Sequence, residues 1–209
     1  FYDFFRHSGQ CFDIVVGDVM GKGVPAALLG AATKSQFLRA LSLLISSSDH
    51  GEVPEPEAVV RSVHAEVSQQ LIDLESFATA CYARFDLEKR RVDFVDCGHT
   101  KTVHFRHRTG ECETLQGENM PLGFSAQETY KQVSVPFEAG DMFFFYSDGV
   151  TEARNGAGEC FGEGRLAELI SSNGHTSPEA LIRDACASVA AFSSSETFAD
   201  DLTCVAVRI

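Results

Sequence analysis

The hydrophobic period changes near residue 77, and that change limits the folds open to this chain. Before it, apolar positions recur at helical spacing: Leu29, Thr33, Phe37, Leu41 and Leu44 in one segment, then Val59, Val63, Val67, Leu71 and Leu74 in the next. After it, Phe77, Thr79, Cys81, Ala83 and Phe85 alternate with Ala78, Ala80, Tyr82 and Arg84, which is the period of a strand. Helices followed by a block of strands do not make alternating βαβ units. The order predicts an α+β fold on mainly antiparallel sheets.

The remaining segments fit that frame. Residues 12–19 read as a buried strand, and a helix is expected over about 25–44, with Pro25 in its first turn. A loop over 46–51 is extended by Pro54 and Pro56. Residues 77–85 and 91–96 form a hairpin around 86–90, and 102–106 and 112–115 form another around Thr109-Gly110. Strands follow at 132–137 and 142–146, the second covered on both faces. The polar stretch 151–164 is long for a plain connection, and such loops are often functional. A short helix occupies about 164–171. Another starts with Ser177 as N-cap and Pro178 at its first helical position, buries Leu181, Ala185, Val189 and Phe192, and ends at Ser193-Ser194-Ser195. Residues 202–207 make the last strand. With no internal repeat and no linker, one domain over 1–209 is expected, and a start at Phe1 rather than Met suggests a truncated N-terminal edge.

Composition removes several functions. No apolar run approaches the ~20 residues of a membrane helix. The net charge of −13 leaves no basic footprint for nucleic acid. The seven cysteines form no C-x-x-C pair and are odd in number, which disfavours both a disulfide framework and a zinc site. They read as small core residues in a reducing compartment, so a cytoplasmic location is expected. His7, His50, His64, His104, His107 and His175 show no ligand spacing and read as surface residues.

Three carboxylate positions carry the chemistry. Asp18 ends one apolar strand before the glycine-rich turn Gly17-Asp18-Val19-Met20-Gly21-Lys22-Gly23-Val24-Pro25, Asp148 ends another, and Asp200 and Asp201 open a third. Each alone is more often a turn or cap residue. Together, at converging strand ends, they would repel one another unless a cation neutralised them. Oxygen donors without thiol or imidazole select Mg²⁺ or Mn²⁺. Two such ions can clamp a phosphoryl group and activate a water near neutral pH. A Walker loop is excluded, because Gly21-Lys22 is followed by Gly23 rather than Ser or Thr.

In this order the motifs resemble the PPM (protein phosphatase 2C-like) family of metal-dependent Ser/Thr phosphatases, in its bacterial SpoIIE-type branch. The matching segments are Gly17-Asp18-Val19-Met20-Gly21-Lys22-Gly23-Val24-Pro25-Ala26-Ala27-Leu28, Asp96-Cys97-Gly98-His99, Met120-Pro121-Leu122-Gly123, Tyr146-Ser147-Asp148-Gly149-Val150-Thr151-Glu152-Ala153 and Ala199-Asp200-Asp201-Leu202-Thr203. The resemblance implies a four-layer α-β-β-α sandwich. It implies two divalent cations, Mn²⁺ or Mg²⁺, held by Asp18, the Val19 backbone carbonyl, Asp148 and Asp200, with Asp18 and Asp148 acting through metal-bound water. Asp201, Asp3 and Gly149 are secondary candidates, Asp200 being preferred to Asp201. Asp3 is a nearby acid or only a strand residue, the latter preferred.

One departure is that the branch's Gly-Gly-Asp before Phe-Tyr-Asp is absent ahead of Phe1-Tyr2-Asp3. His99 is weighed as a general acid and preferred as a structural turn residue, and Lys22 is weighed as a phosphate contact and preferred as a solvated one. The resemblance further implies a phosphoprotein substrate, such as a STAS-domain anti-sigma-factor antagonist in sigma-factor regulation and stress response. A regulatory N-terminal domain or partner, and a homodimer, are expected on the same ground. Two alternatives stay open: a phosphatase of broad or small-molecule specificity, and a weak or inactive domain that binds a protein partner.

Overall fold

Strand β2 (Cys11–Val19) is the spine of the first of two compact units. The computed structural model describes residues 1–48, 52–193 and 200–209. The first unit comprises Phe1–His99 and Gly117–Pro136. Its antiparallel sheet runs in the order β1 (Tyr2–Arg6), β2, β3 (Ala78–Asp86), β4 (Arg91–Cys97) and β7 (Val133–Pro136). Register sets Asp18 opposite Thr79 and Val19 opposite Ala78. Helices α1 (Gly23–Ser47) and α2 (Pro56–Asp73) bury one stripe each, Phe37 and Leu41 from α1 and Val59, Val63, Val67 and Leu71 from α2, in a core with Val15, Tyr82 and Val95. Pro56 stands at the start of α2, where its missing N–H leaves no bond unmade.

The second unit comprises Thr100–Gln116 and Phe137–Ile209. Its antiparallel sheet has the order β6 (Glu111–Leu115), β5 (Thr102–Arg106), β8 (Met142–Tyr146) and β9 (Cys204–Arg208). Its helices are the single turn α3 (Asp148–Thr151), then α4 (Gly162–Asn173) and α5 (Pro178–Ser193). Phe105, Phe144, Leu166, Ile170, Leu181, Ala185 and Val189 form its core. Ser177 caps α5 as its position predicts: its Oγ accepts the Ala180 N–H at 3.2 Å. Two antiparallel sheets flanked by helices are the α+β architecture expected from the change of period. Among the described residues no helix is long and apolar enough to cross a membrane.

Several boundaries move. Helix α1 runs on through Ser46 and Ser47, which were expected in a loop. Their hydroxyls donate back to the Leu43 carbonyl at 2.9 and 2.8 Å and satisfy the helix end from within. The rest of that loop at 49–51, with His50, lies outside the described residues, as do Ser194, Ser195 and Ala199. The polar stretch 151–164 opens with the end of α3 and contains an isolated bridge between Arg154 and Cys160, tied by Asn155 Oδ1 accepting the Ala157 and Glu159 N–H groups. The last strand begins at Cys204 rather than residue 202.

The surface reading of the histidines is corrected at three positions. His104 is fully buried, with Nε2 2.9 Å from Asp141 Oδ2 and its ring stacked on Phe143. Burial lowers its pKa, although Asp141 pulls the other way. His64 is buried on α2, its Nδ1 2.6 Å from Ser68 Oγ and 3.0 Å from Tyr130 OH, and burial lowers its pKa too. His7 places Nε2 2.9 Å from the buried Asp13 carboxylate, which also takes two bonds of 2.7 Å from Arg84 and one from the Tyr82 hydroxyl. His107 and His175 are exposed, as expected.

Candidate metal and active site

Asp18 is half-buried near the end of β2, and Val19 beside it is buried. The β2–β3 ladder holds the backbone here as far as Met20, whose N–H donates to the Phe77 carbonyl at 2.9 Å. Thr79 Oγ1 lies 3.4 Å from the Asp18 carbonyl oxygen and 3.0 Å from His99 Nδ1. His99 is set in turn by Asp96. One Asp96 oxygen accepts the His99 N–H at 2.8 Å, and the other accepts the Gly117 N–H at 2.9 Å. Burial raises the Asp96 carboxyl's pKa, opposed by backbone bonds from Gly117, His99 and Gly98. Gly98 turns at φ +66°, and a Cβ there would stand 2.9 Å from the Pro121 ring. The Asp96-Cys97-Gly98-His99 segment is therefore a built turn. Asp3 is a β1 strand residue with its carboxylate 3.3 Å from Lys34 Nζ. Lys22 is exposed before α1.

In the second unit Ser147 is the organising residue. It holds the N-cap position of α3, yet its hydroxyl does not cap the helix. Ser147 Oγ instead donates to the Asp201 carbonyl at 2.9 Å and accepts the Thr203 N–H at 3.0 Å, while its own N–H donates to the Thr203 carbonyl at 3.0 Å. Those bonds lay the Asp148-Gly149 segment against Asp200-Asp201. The approach requires glycine, since a Cβ on Gly149 would come within 3.0 Å of the Asp201 carbonyl and 3.4 Å of Asp200 Cβ. Asp148 is half-buried, whereas Asp200 and Asp201 are exposed. The Asp201 N–H donates to Asp200 Oδ1 at 3.0 Å.

The structure thus brings the segments of Asp148, Gly149, Asp200 and Asp201 together in one unit, and Asp18, Val19 and Asp3 belong to the other. Among the described residues no group of three or more His, Cys, Asp and Glu stands as a ready metal site. The fit to a cation rests on donor chemistry and on the Gly149 contact. Asp148 and Asp200 offer oxygens only, which suits a hard divalent ion, and the clasp that sets their backbones side by side leaves no room for a methyl group. Ser147 and Thr79 were not singled out from the sequence. The one signal for Ser147 was its place just before Asp-Gly at a strand end.

Comparison with known proteins extends this geometry. The sequence profile of the family Stage II sporulation protein E (SpoIIE) matches residues 8–209. The phosphoserine phosphatase RsbU of Bacillus subtilis is 30% identical over 153 residues, which are 73% of this chain and 43% of RsbU. The chain spans less than half the length of the curated relatives it matches. Among solved structures, the SiaA-PP2C domain of Pseudomonas aeruginosa superposes with a TM-score of 0.85 at 21% identity, over all of this chain and 80% of that one. A structure of RsbX in complex with magnesium gives 0.62 at 19% identity, over 98% of this chain and 85% of that one. Those two likenesses show the PP2C fold. With the motifs in order and the profile covering nearly every residue, the chain belongs to the SpoIIE family, the SpoIIE-type branch of the PPM (protein phosphatase 2C-like) phosphatases.

Proposed function

We propose that this domain is a metal-dependent phosphoprotein phosphatase that hydrolyses phosphoserine or phosphothreonine on a regulatory protein. The observation that carries the reading is the Ser147–Gly149 clasp, which sets two carboxylate-bearing segments side by side in a SpoIIE-family chain that is 30% identical to a named phosphoserine phosphatase. Asp18, the Val19 carbonyl, Asp148 and Asp200 would hold two divalent cations, Mn²⁺ or Mg²⁺. Bound cations supply a nucleophilic water at neutral pH and countercharge for the phosphoryl oxygens. The chain's own part is positional. Ladder bonds around Met20 and Thr79 fix the backbone at Asp18, and Ser147 fixes it at Asp148. The Ser147 hydroxyl is held at both its donor and its acceptor side, so it is not a free nucleophile.

The substrate proposed is an anti-sigma-factor antagonist of the STAS type in a partner-switching circuit, supported by the likeness to RsbU. Cytoplasmic action, control by a regulatory domain or partner, and homodimerisation are proposed on the same ground. A second reading, a weak or inactive domain that binds a protein partner, draws on the absence of a ready three-ligand cluster among the described residues.

Hydrolysis of a chromogenic aryl phosphate, with EDTA, Mg²⁺ or Mn²⁺ added in turn, separates the two. The phosphatase reading expects turnover that needs Mn²⁺ or Mg²⁺ and is lost in Asp18→Ala. Silence with every metal supports the binding module.

A further inference from the structure

Two exposed histidines outside the candidate site meet on the second unit, although 68 residues separate them in the chain. His107 Nδ1 lies 3.1 Å from His175 Nδ1, and the rings stand edge to face with centroids 4.8 Å apart. His107 is in the turn between β5 and β6, and His175 is in the turn between α4 and α5. Both turns are held from behind. The His107 N–H donates to the buried Asp141 at 2.9 Å. Gly140, at φ +90°, backs the His107 ring so closely that a Cβ there would stand 2.8 Å from it. On the other side Arg208 donates to the Gly174 and Thr176 carbonyls that flank His175. The His175 ring meets the buried Phe105 ring at 86°, with centroids 4.9 Å apart.

We propose that His107 and His175 chelate a transition-metal dication of the Zn²⁺, Ni²⁺ or Cu²⁺ class, at a site separate from the oxygen donors proposed for Mn²⁺ or Mg²⁺. The spacing fits such an ion. Held at ~2.0–2.1 Å from both Nδ1 atoms, it would see them, 3.1 Å apart, at an angle of about 95–100°, between the square-planar and tetrahedral values. Imidazole nitrogen suits these metals, whereas Mg²⁺ takes oxygen. As a neutral pair the two nitrogens are a donor and an acceptor, so one ring carries its proton on Nδ1. Metal binding moves that proton to Nε2 through the water that both exposed rings meet. Rotation of the rings then aims two lone pairs at one ion. Among the described residues no third His, Cys, Asp or Glu completes the set, so water fills the remaining positions.

The ion would tie the β5–β6 turn to the α4–α5 turn. In the unfolded chain the two imidazoles are 68 residues apart and no longer form a chelate. The ion therefore binds the folded second unit in preference and stabilises it by mass action. Neither ring belongs to the proposed phosphatase machinery, and the binding test does not depend on turnover.

The test titrates Ni²⁺ into the full chain by calorimetry, with Mg²⁺ in excess to occupy the oxygen donors. Wild type binds Ni²⁺. In His107→Gln and in His175→Gln the affinity falls by about 10-fold or more, no less than the loss of an outer partner costs a metal site. Asp148→Asn, which removes a proposed oxygen ligand, binds Ni²⁺ as wild type does. In the wild-type protein, paramagnetic Ni²⁺ broadens the amide NMR signals around residues 107 and 175 first, which decides the matter even if a variant folds poorly. Four results overturn the proposal: no Ni²⁺ uptake by wild type, undiminished affinity in either histidine variant, loss of binding in Asp148→Asn, or broadening centred elsewhere.

Discussion

Gly149 and Asp201 share a space too small for a methyl group: a Cβ on Gly149 would stand within 3.0 Å of the Asp201 carbonyl oxygen, closer than real Cβ atoms come. The neighbour is backbone, fixed by Ser147, so it cannot yield as a flexible side chain would. Gly149→Ala should push the Asp148 and Asp200 segments apart. We expect a loss of about 1–3 kcal/mol in stability, the usual cost of overpacking. Mn²⁺-stimulated aryl phosphate hydrolysis should fall by about 10-fold or more, as when a partner that orients metal ligands is removed. Urea unfolding and a Mn²⁺ titration of activity check both. A variant with wild-type Mn²⁺ response would show that the contact does not set the site.

Asp148→Asn should abolish metal-dependent turnover and leave the fold intact by circular dichroism. The amide keeps the side chain's shape and removes the negative charge that a hard cation needs. Asp200 and Asp201 are separable by the same assay. Asp201 uses its backbone carbonyl to hold Ser147, which an Asn side chain preserves, whereas Asp200 is the proposed ligand. Asp200→Asn is therefore expected to lose more than the ~10–100-fold typical of outer partners, and Asp201→Asn to stay within about 10-fold. The reverse order would move the ligand to Asp201.

What the sequence disclosed and what it hid follow from the range of the interactions. Strand and helix types were legible because burial on one face writes a period into neighbouring residues, as in Phe77 to Phe85 and Val59 to Leu71. Asp18 near the end of β2 and Asp148 just past β8 were legible as polar residues where apolar strands stop, whereas Asp200 lies four residues before β9; their joint role as metal ligands remains the proposal. The helix end at Ser47 was misjudged because serine is read as a breaker, while here its hydroxyl bonds back into the helix. Long-range pairings left no local signal. Ser147 meets a carbonyl 54 residues away, and His104 meets a carboxylate 37 residues away, so neither the clasp nor the buried histidine could be read from spacing.

Asp13 is fully buried and answers to Arg84, Tyr82 and His7 at once. Burial alone would raise its carboxyl, but the bonds from Arg84, His7 and Tyr82 outweigh it and hold the pKa below the usual 3.8. Asp13→Ala would leave the Arg84 guanidinium, whose side chain is 7% exposed, without its charged partner. The expected cost is about 3–5 kcal/mol, typical of a broken buried pair. Because the folded carboxyl holds its proton less tightly than the unfolded one, its stabilisation is complete above 3.8 and is lost as pH falls through the folded value. Denaturant midpoints for wild type and Asp13→Ala should differ most near neutral pH and draw together in acid. A constant gap from neutral pH to strong acid would remove the carboxylate's charge from the account.

A second loss of stability should appear at milder acidity, from the buried histidines. Burial lowers the pKa of both His104 and His64 below 6.5, against the opposing pull of Asp141 on the first. An unfolded histidine takes up a proton as pH falls below 6.5, while the folded one resists until its lower value is reached. The unfolded state therefore binds more protons in that window, and stability falls with pH within it. The loss ends once both states are protonated. Each histidine contributes at most about 1.4 kcal/mol per pH unit across the window. At His104 the neutral ring donates its Nε2–H to Asp141, an acid held below its usual value, so Asp141 itself titrates at lower pH and does not mask the effect. Urea midpoints should drop between pH 7.5 and 5.5, and His104→Gln should be less stable at pH 7.5 yet show a shallower drop. An equal slope in wild type and His104→Gln would assign the pH dependence to His64 or to other groups and leave His104 with a structural bond alone.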